Sequence, residues 1–406
     1  MCGVYKQQSS ISFNTYLKNF YTKSEMFRER LQSGTFNFDQ TGNLFTTNEN
    51  NTEHINLTRT VEILKSPINI TEYNFTNNLP CDQRQYFIFN CQKDQLCGGL
   101  GDREKGIITS FLLALLSNRT LIIDMADPCP MEDYQTPNVY DWLSCKDYAL
   151  SRPKSEVHDL AAIDKKPGKL KTFKVMDFAK EWTKKVVRYR INWLVIDAVK
   201  DRMQNSDMPS FGWAKNLTKE EIIKAVMFVL FKPGPTMSND IQNFFDTYIQ
   251  NKTLVCAHVR IGKNPSNPLD GSKSQRTPNA TKIIDFLKQY NNVRNYTIFV
   301  ATDSDEVRAA CYSELVNFVT LNKPIVHVDR YGGMGKNKSC DGLYNAILEQ
   351  RLLSLCDVLL LTQSNFGGIA SYIRGRGVLY IYNSWQHFIE KLELEQMATK
   401  YKLARR

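Results

Sequence analysis

Two stretches of this sequence carry residue types that can grip an anion. The first is His258-Val259-Arg260-Ile261-Gly262, which closes an apolar run. His258 and Arg260 alternate with apolar residues, so in an extended chain both point to one face. A guanidinium offers a planar fork of donors matched to a pyrophosphate. Gly262 beside it lets backbone approach a ligand closely. The plain alternative is an ordinary exposed pair at a strand end. The second stretch, Thr362-Gln363-Ser364-Asn365-Phe366-Gly367-Gly368, opens a predicted helix. Unpaired backbone N–H groups and the helix dipole make such a start an anion site, to which Ser364 and Asn365 can add side-chain hydrogen bonds. Plain capping is the alternative here.

Carboxylates and a glycine turn complete the set. Glu349 lies one helix before the second stretch, and a carboxylate can accept a bidentate pair of N–H donors such as guanine N1–H and N2–H; taken alone, a solvated helix residue is the commoner reading. Asp303-Ser304-Asp305 has the spacing of a metal-binding DxD, but Asp303 or Ser304 also reads as the cap of the following helix. Gly98-Gly99-Leu100-Gly101-Asp102-Arg103 permits close backbone approach to a ligand and places Asp102 and Arg103 at a helix start. Glu104 stands where the dinucleotide fingerprint requires a third glycine, so that motif fails. No P-loop, G-x-S-x-G or H-E-x-x-H is present, and the five histidines are scattered.

The elements that must position these residues read as α/β. Tyr86–Asn90, the glycine turn, a buried helix over 106–116 and Thr120–Asp124 form one βαβ unit. Helices are then expected over 177–187, 193–202, 219–231 and 238–250, with Phe231-Lys232-Pro233-Gly234-Pro235 as a breaker. The second half alternates strands at 253–260, 296–302, 324–329, 357–362 and 378–382 with helices at 280–290, 305–315, 341–355 and 368–373. That alternation demands a parallel sheet covered on both faces. Ligands of such sheets sit beyond the carboxyl ends of the strands, where His258, Arg260, Asp303 and Ser364 fall. Residues 1–80 are polar and Asn/Thr-rich and read as a stem, with a helix over 20–31 as the alternative; residues 386–406 read as a helical tail.

The chain has 406 residues, a net charge of +10 and 42% hydrophobic content, ordinary for a globular protein of two or three domains. The basic balance suits an anionic partner, but no basic-aromatic module for nucleic acid appears. Ten cysteines without a CxxC pair argue against a zinc ribbon, and five of them between Cys81 and Cys145 suggest local disulfides, with buried thiols as the alternative. Sequons at Asn50, Asn56, Asn69, Asn74, Asn118, Asn216, Asn251, Asn279, Asn295 and Asn337 favour a glycosylated, lumenal protein. No signal peptide is visible at the start, and the longest apolar run, 107–116, is too short to span a bilayer. A native N-terminal anchor missing from this sequence reconciles the two readings.

The motifs, in this order over roughly residues 85–385, resemble the superfamily of α1,2-, α1,6- and protein O-fucosyltransferases. The resemblance implies a GT-B fold: two Rossmann-like domains, here 81–250 for the acceptor and 251–385 for the GDP-sugar, facing a cleft. It implies inverting transfer from GDP-fucose to a glycan or protein hydroxyl, with no metal or other cofactor, in the Golgi or ER lumen. Carried over, Arg260 holds the β-phosphate and assists the leaving group. His258 and Glu349 contact guanine, and Gly262, Asp303, Ser364, Asn365, Phe366 and Gly367 belong to the donor site. Gly98, Gly99, Gly101 and Arg103 face the cleft from the other half. Asp102 is the candidate base, or an N-cap. Ile261 stands where many members carry a second basic residue or an aspartate, and Lys263 is a possible replacement. That departure leaves two alternatives: a GT-B enzyme using another nucleotide sugar, or a catalytically silent binding paralogue.

Overall fold

The computed structural model describes residues 79–92, 95, 97–160, 173–204, 209–214, 216–262, 278–321, 323, 326–328, 335–375, 377–384 and 386–393, with three short strands before residue 56. By contacts the chain divides into two units, Met1–Lys65 and Ser66–Arg406. In the first, strands Phe36–Phe38, Leu44–Thr46 and His54–Ile55 pair antiparallel in chain order. The expected stem therefore contains a small meander. The helix weighed for 20–31 lies outside the described residues.

The second unit holds two parallel sheets. The first contains β1 (Tyr86–Cys91), β2 (Thr120–Met125), β3 (Val157–Leu160) and β4 (Val186–Tyr189), in the order β2-β1-β4-β3. β1 and β2 are buried at every residue, as strands covered on both faces must be. Between them runs helix α1 (Leu100–Leu116). It starts directly at the glycine turn, six residues earlier than expected, and is buried on nearly all sides. Each fully buried Phe or Leu on it contributes about 1.5–3 kcal/mol.

The helix expected over 177–187 is not there. Asp177 caps a single turn, Phe178–Glu181, and Val186–Val187 then pair with Tyr86–Phe87 as β4. Two adjacent β-branched residues opposite a buried strand favour the sheet over the helical spacing.

The second sheet has the order β7-β6-β5-β8-β9-β10, with β5 (Thr253–Val259), β6 (Tyr296–Thr302), β7 (Phe318–Val319), β8 (Val358–Leu361), β9 (Val378–Asn383) and β10 (Phe388–Leu392). All are parallel except β10, which runs antiparallel to β9. A strand thus replaces the start of the expected helical tail: 388–392 turns back and pairs antiparallel with β9 at the edge of the sheet, and residues 394–406 lie outside the described ones. The expected strand over 324–329 is also corrected. The described residues there, 326–328, are not in a strand, and the edge is Phe318–Val319 instead.

Helices α2 (Lys219–Leu230), α3 (Ala280–Leu287), α4 (Asp305–Glu314), α5 (Lys336–Leu353) and α6 (Asn365–Arg374) cover the sheets. α6 packs against α1, α2 and α5, and one hydrophobic core runs through both halves. The disulfides are mixed in range. Cys81–Cys145 and Cys91–Cys97 are local, as expected, whereas Cys256–Cys356 ties the middle of β5 to the residues before β8, and Cys129–Cys340 joins the first half to α5. No helix among the described residues is long and apolar enough to cross a membrane.

Candidate functional site

Register decides where the chemistry converges. His258 pairs with both Ala301 and Leu361, and Val259 with Thr302, so β5, β6 and β8 end level. The residues immediately after them share one edge of the sheet. A cavity of about 360 Å³ opens there, walled by Arg260, Asp303 and Ser364 from the strand ends and by Glu349 of α5. Gly99, Gly101 and Asp102 reach it from the first half. His258, Asn365 and Phe366 also line it. Of the other residues singled out from the sequence, Gly98, Arg103, Gly262 and Gly367 stand behind this lining.

Arg260 is held rather than loose. Its Nη1 lies 2.5 Å from Asp303 Oδ2, and the same carboxylate accepts the backbone N–H groups of Ile261 (2.7 Å) and Gly262 (2.8 Å). The Arg260 N–H donates to Thr362 Oγ1 (2.8 Å), whose hydroxyl donates to the His258 carbonyl (3.0 Å). Asp303 therefore orders the whole turn after β5. The two readings of the DxD separate: Ser304 caps α4 by accepting from the Val307 N–H, while Asp303 turns back to the arginine. Lys263, weighed as a second cation, lies outside the described residues.

His258 is buried and stacked on Phe366, with ring centroids 5.1 Å apart. Burial, helped by the Arg260 charge, pushes its pKa down to about 3, so the ring is neutral. Its Nδ1 is buried without a partner among the described residues. A Cβ on Gly367 would lie 2.9 Å from that nitrogen, so glycine is what lets α6 start against the imidazole. Ser364 sits at the N-cap of α6 with no side-chain cap hydrogen bond.

Glu349 is half-buried, and burial pushes its carboxyl up to about 8. The Arg308 charge works against that rise and Asp303 adds to it. At neutral pH Glu349 is therefore mostly protonated.

The first half meets the second at the starts of α1 and α6. Asn365 Nδ2 donates to Asp102 Oδ1 (2.7 Å), and Lys105 Nζ lies 2.8 Å from the same oxygen. Gly101 permits this approach, since a Cβ there would meet the Asn365 carbonyl carbon and the Phe366 nitrogen at 2.5 Å. Gly101→Ala is expected to destabilise the protein by about 1–3 kcal/mol, the usual cost of overpacking, and to weaken ligand binding at the cavity. Denaturant melts and a nucleotide titration check this; a variant indistinguishable from wild type in both would show that the two helix starts are free to separate.

Arg103 was expected to face the cleft and does not. It is fully buried behind the turn. One residue on, Glu104 is also fully buried and accepts from Gln350 Nε2 (2.7 Å), with its pKa pushed up to about 8 by burial.

Arg308, Lys323, His327 and Asn345 line the cavity as well and were missed. Arg308 was legible. A cation in the first turn of α4 opposes the helix dipole, which signals some other task. Asn345 sits four residues before Glu349 and so shares its helix face. His327 was hidden because 324–329 reads as a strand, and Lys323 lies just before it.

The fold matches known structures. A NodZ alpha-1,6-fucosyltransferase co-crystallised with GDP aligns over 77% of this chain and 99% of its own, at 12% identity and a TM-score of 0.50. Fucosyltransferase NodZ from Bradyrhizobium aligns to the same extent, with the same identity and score. At this identity the likeness is one of fold, and the fold is the GT-B arrangement expected from the sequence. No protein-family model matches the sequence, and no curated protein does.

Proposed function

We propose that this chain is an inverting glycosyltransferase that takes fucose from GDP-fucose and delivers it to a glycan or protein hydroxyl. The observation that carries this reading is the composition of the one cavity at the level strand ends. It offers a fixed guanidinium, the start of α6 and a carboxylate at separate points of its wall. Glu349, once ionised, matches guanine N1–H and N2–H. Arg260 and the first N–H groups of α6 match a diphosphate. Residues 81–250 then form the acceptor half and 251–385 the donor half.

In the transfer, the bond from the anomeric carbon to the β-phosphate oxygen breaks and GDP leaves with the electron pair. Arg260 and the α6 start meet the charge that develops there, which is the largest catalytic term in many such sites. The acceptor oxygen bonds to the opposite face of the anomeric carbon and loses its proton to Asp102 or to solvent. Asn365 of the second half and Lys105 of α1 both meet Oδ1 of Asp102, so the carboxylate is oriented before substrate arrives. No metal takes part in this scheme. The described sequon asparagines, Asn118, Asn216, Asn251, Asn279, Asn295 and Asn337, are all exposed. Together with four disulfides they support an oxidising compartment such as the ER or Golgi lumen.

The test is incubation with GDP-fucose and an acceptor array, reading GDP release and fucosylated product with and without EDTA, beside calorimetric titration of GDP, UDP and ADP. Product formation that survives EDTA, with GDP the preferred nucleotide, is expected. Tighter binding of UDP or ADP would mean a different nucleotide sugar, and GDP binding without turnover on any acceptor would mean a silent paralogue.

A further inference from the structure

Three consecutive residues at the start of α1 each reach across to the second half. Asp102 meets Asn365, Glu104 meets Gln350, and between them Arg103 makes the most extended contact. Its Nε donates to the Gly98 carbonyl (2.9 Å), Nη1 to the Asp127 carbonyl and Nη2 to the Val328 carbonyl (2.9 Å). Gly98 and Asp127 belong to the first half. Val328 belongs to the segment 326–328, which forms one wall of the cavity. The guanidinium itself is not part of the cavity lining.

Two other buried arginines give the contrast. Arg119 holds the carbonyls of Tyr86, Trp182 and Lys185, all in the first half. Arg374 holds those of Cys356, Asp357 and Val378, all in the second. The chemistry is the same, a buried fork satisfied by backbone oxygens. Of these bonds, only that from Arg103 to Val328 joins the two halves.

We propose that Arg103 is a positioning residue for the donor pocket: by fixing the Val328 wall to the glycine turn, it keeps the cavity assembled before any ligand arrives. This rests on the GDP-sugar reading for its ligand, but not for its geometry. The segment 326–328 is in no strand or helix, and Arg103 gives it a backbone attachment to the other half. A wall misplaced by about an ångström is enough to cost on the order of 100-fold in a site that depends on orientation.

The experiment compares Arg103→Ala, Arg103→Lys and Arg119→Ala in the full chain. GDP affinity is read by calorimetry, donor KM and kcat by GDP release, and amide exchange over 326–328 by mass spectrometry. Arg103→Ala is expected to weaken GDP binding about 30-fold or more, to raise donor KM more than it lowers kcat, and to speed exchange over 326–328. Added guanidinium at millimolar concentration restores affinity, because it refills the vacated fork. Arg103→Lys, which keeps the charge but not the fork, loses at least about fivefold. Arg119→Ala lowers the melting temperature without moving GDP affinity or that exchange.

Wild-type GDP affinity in both Arg103 variants, with unchanged exchange, overturns the proposal. So does an Arg119→Ala variant that weakens GDP binding as much. Should Arg103→Ala fail to fold, Arg103→Lys decides. Should the wild type bind no GDP, the GDP-sugar reading falls, and the exchange rates alone decide the role of Arg103: faster in the Arg103 variants but not in Arg119→Ala supports it, unchanged sinks it.

Discussion

Replacing Arg260 with alanine is expected to lower GDP affinity on the order of 100-fold and kcat/KM by about 100- to 1000-fold, with the fold retained. Two effects add. The diphosphate loses a charge-assisted pair, and Asp303 loses the cation 2.5 Å from its Oδ2. Asp303 keeps the Ile261 and Gly262 N–H groups, so the turn after β5 survives and the loss reads mainly as ligand binding. Arg260→Lys is expected to recover only part, because an ammonium cannot span both the carboxylate and a phosphate as the guanidinium fork does. Calorimetry with GDP and a steady-state assay measure the two quantities. Unchanged GDP affinity in Arg260→Ala would remove the phosphate assignment at the end of β5.

Glu349 should make GDP binding pH-dependent with a definite sign. Its carboxyl is held up at about 8 in the empty cavity, and the guanine contact needs it ionised. Binding therefore releases a proton below that pH. Affinity should tighten about tenfold per pH unit as the pH rises toward 8 and level off above it. The opposite slope would mean that Glu349 binds as the neutral acid. Glu349→Gln should flatten the profile, weaken GDP about tenfold and erase the preference over ADP and UDP, since an amide offers guanine one acceptor and one clashing donor. Glu104 is also held near 8, but it faces Gln350 and not the cavity, so its proton count is the same with and without ligand and cancels. Titrations from pH 6 to pH 9 in buffers of different ionisation enthalpy count the proton directly.

The same pair of carboxyls bears on stability. A group whose pKa is raised from the ordinary carboxylate range to about 8 holds a proton in the folded chain that the unfolded chain releases. Its contribution is therefore largest at low pH and is lost as the pH climbs toward 8. Ionising Glu349 to meet guanine works against this gradient, which is a reason for Arg308 to stand close by.

The sequence by itself determined four strands of the second half, β5, β6, β8 and β9, and the residues that follow them. Continuous apolar runs such as 296–302 and 357–362 have no other stable use than a covered parallel sheet, and such a sheet delivers its following residues to one edge. Arg260, Asp303 and Ser364 could be read from that logic without coordinates; Glu349, inside α5, could not. The sequence also marked the glycine turn, since close approach demands glycine, though not what it approaches. Only the tertiary structure decided that. Gly101 lies against the start of α6, and Arg103, legible as a cleft-facing cation, is instead buried across the two halves. Partners some 225 residues apart leave no local signature, because periodicity and caps report an element's own faces and not its distant neighbours. The same reason hid β4, whose valines follow a capped helical turn and become a strand only because β1 lies beside them. It also hid the cavity wall at 326–328, where the Val328 carbonyl accepts from Arg103 of the other half.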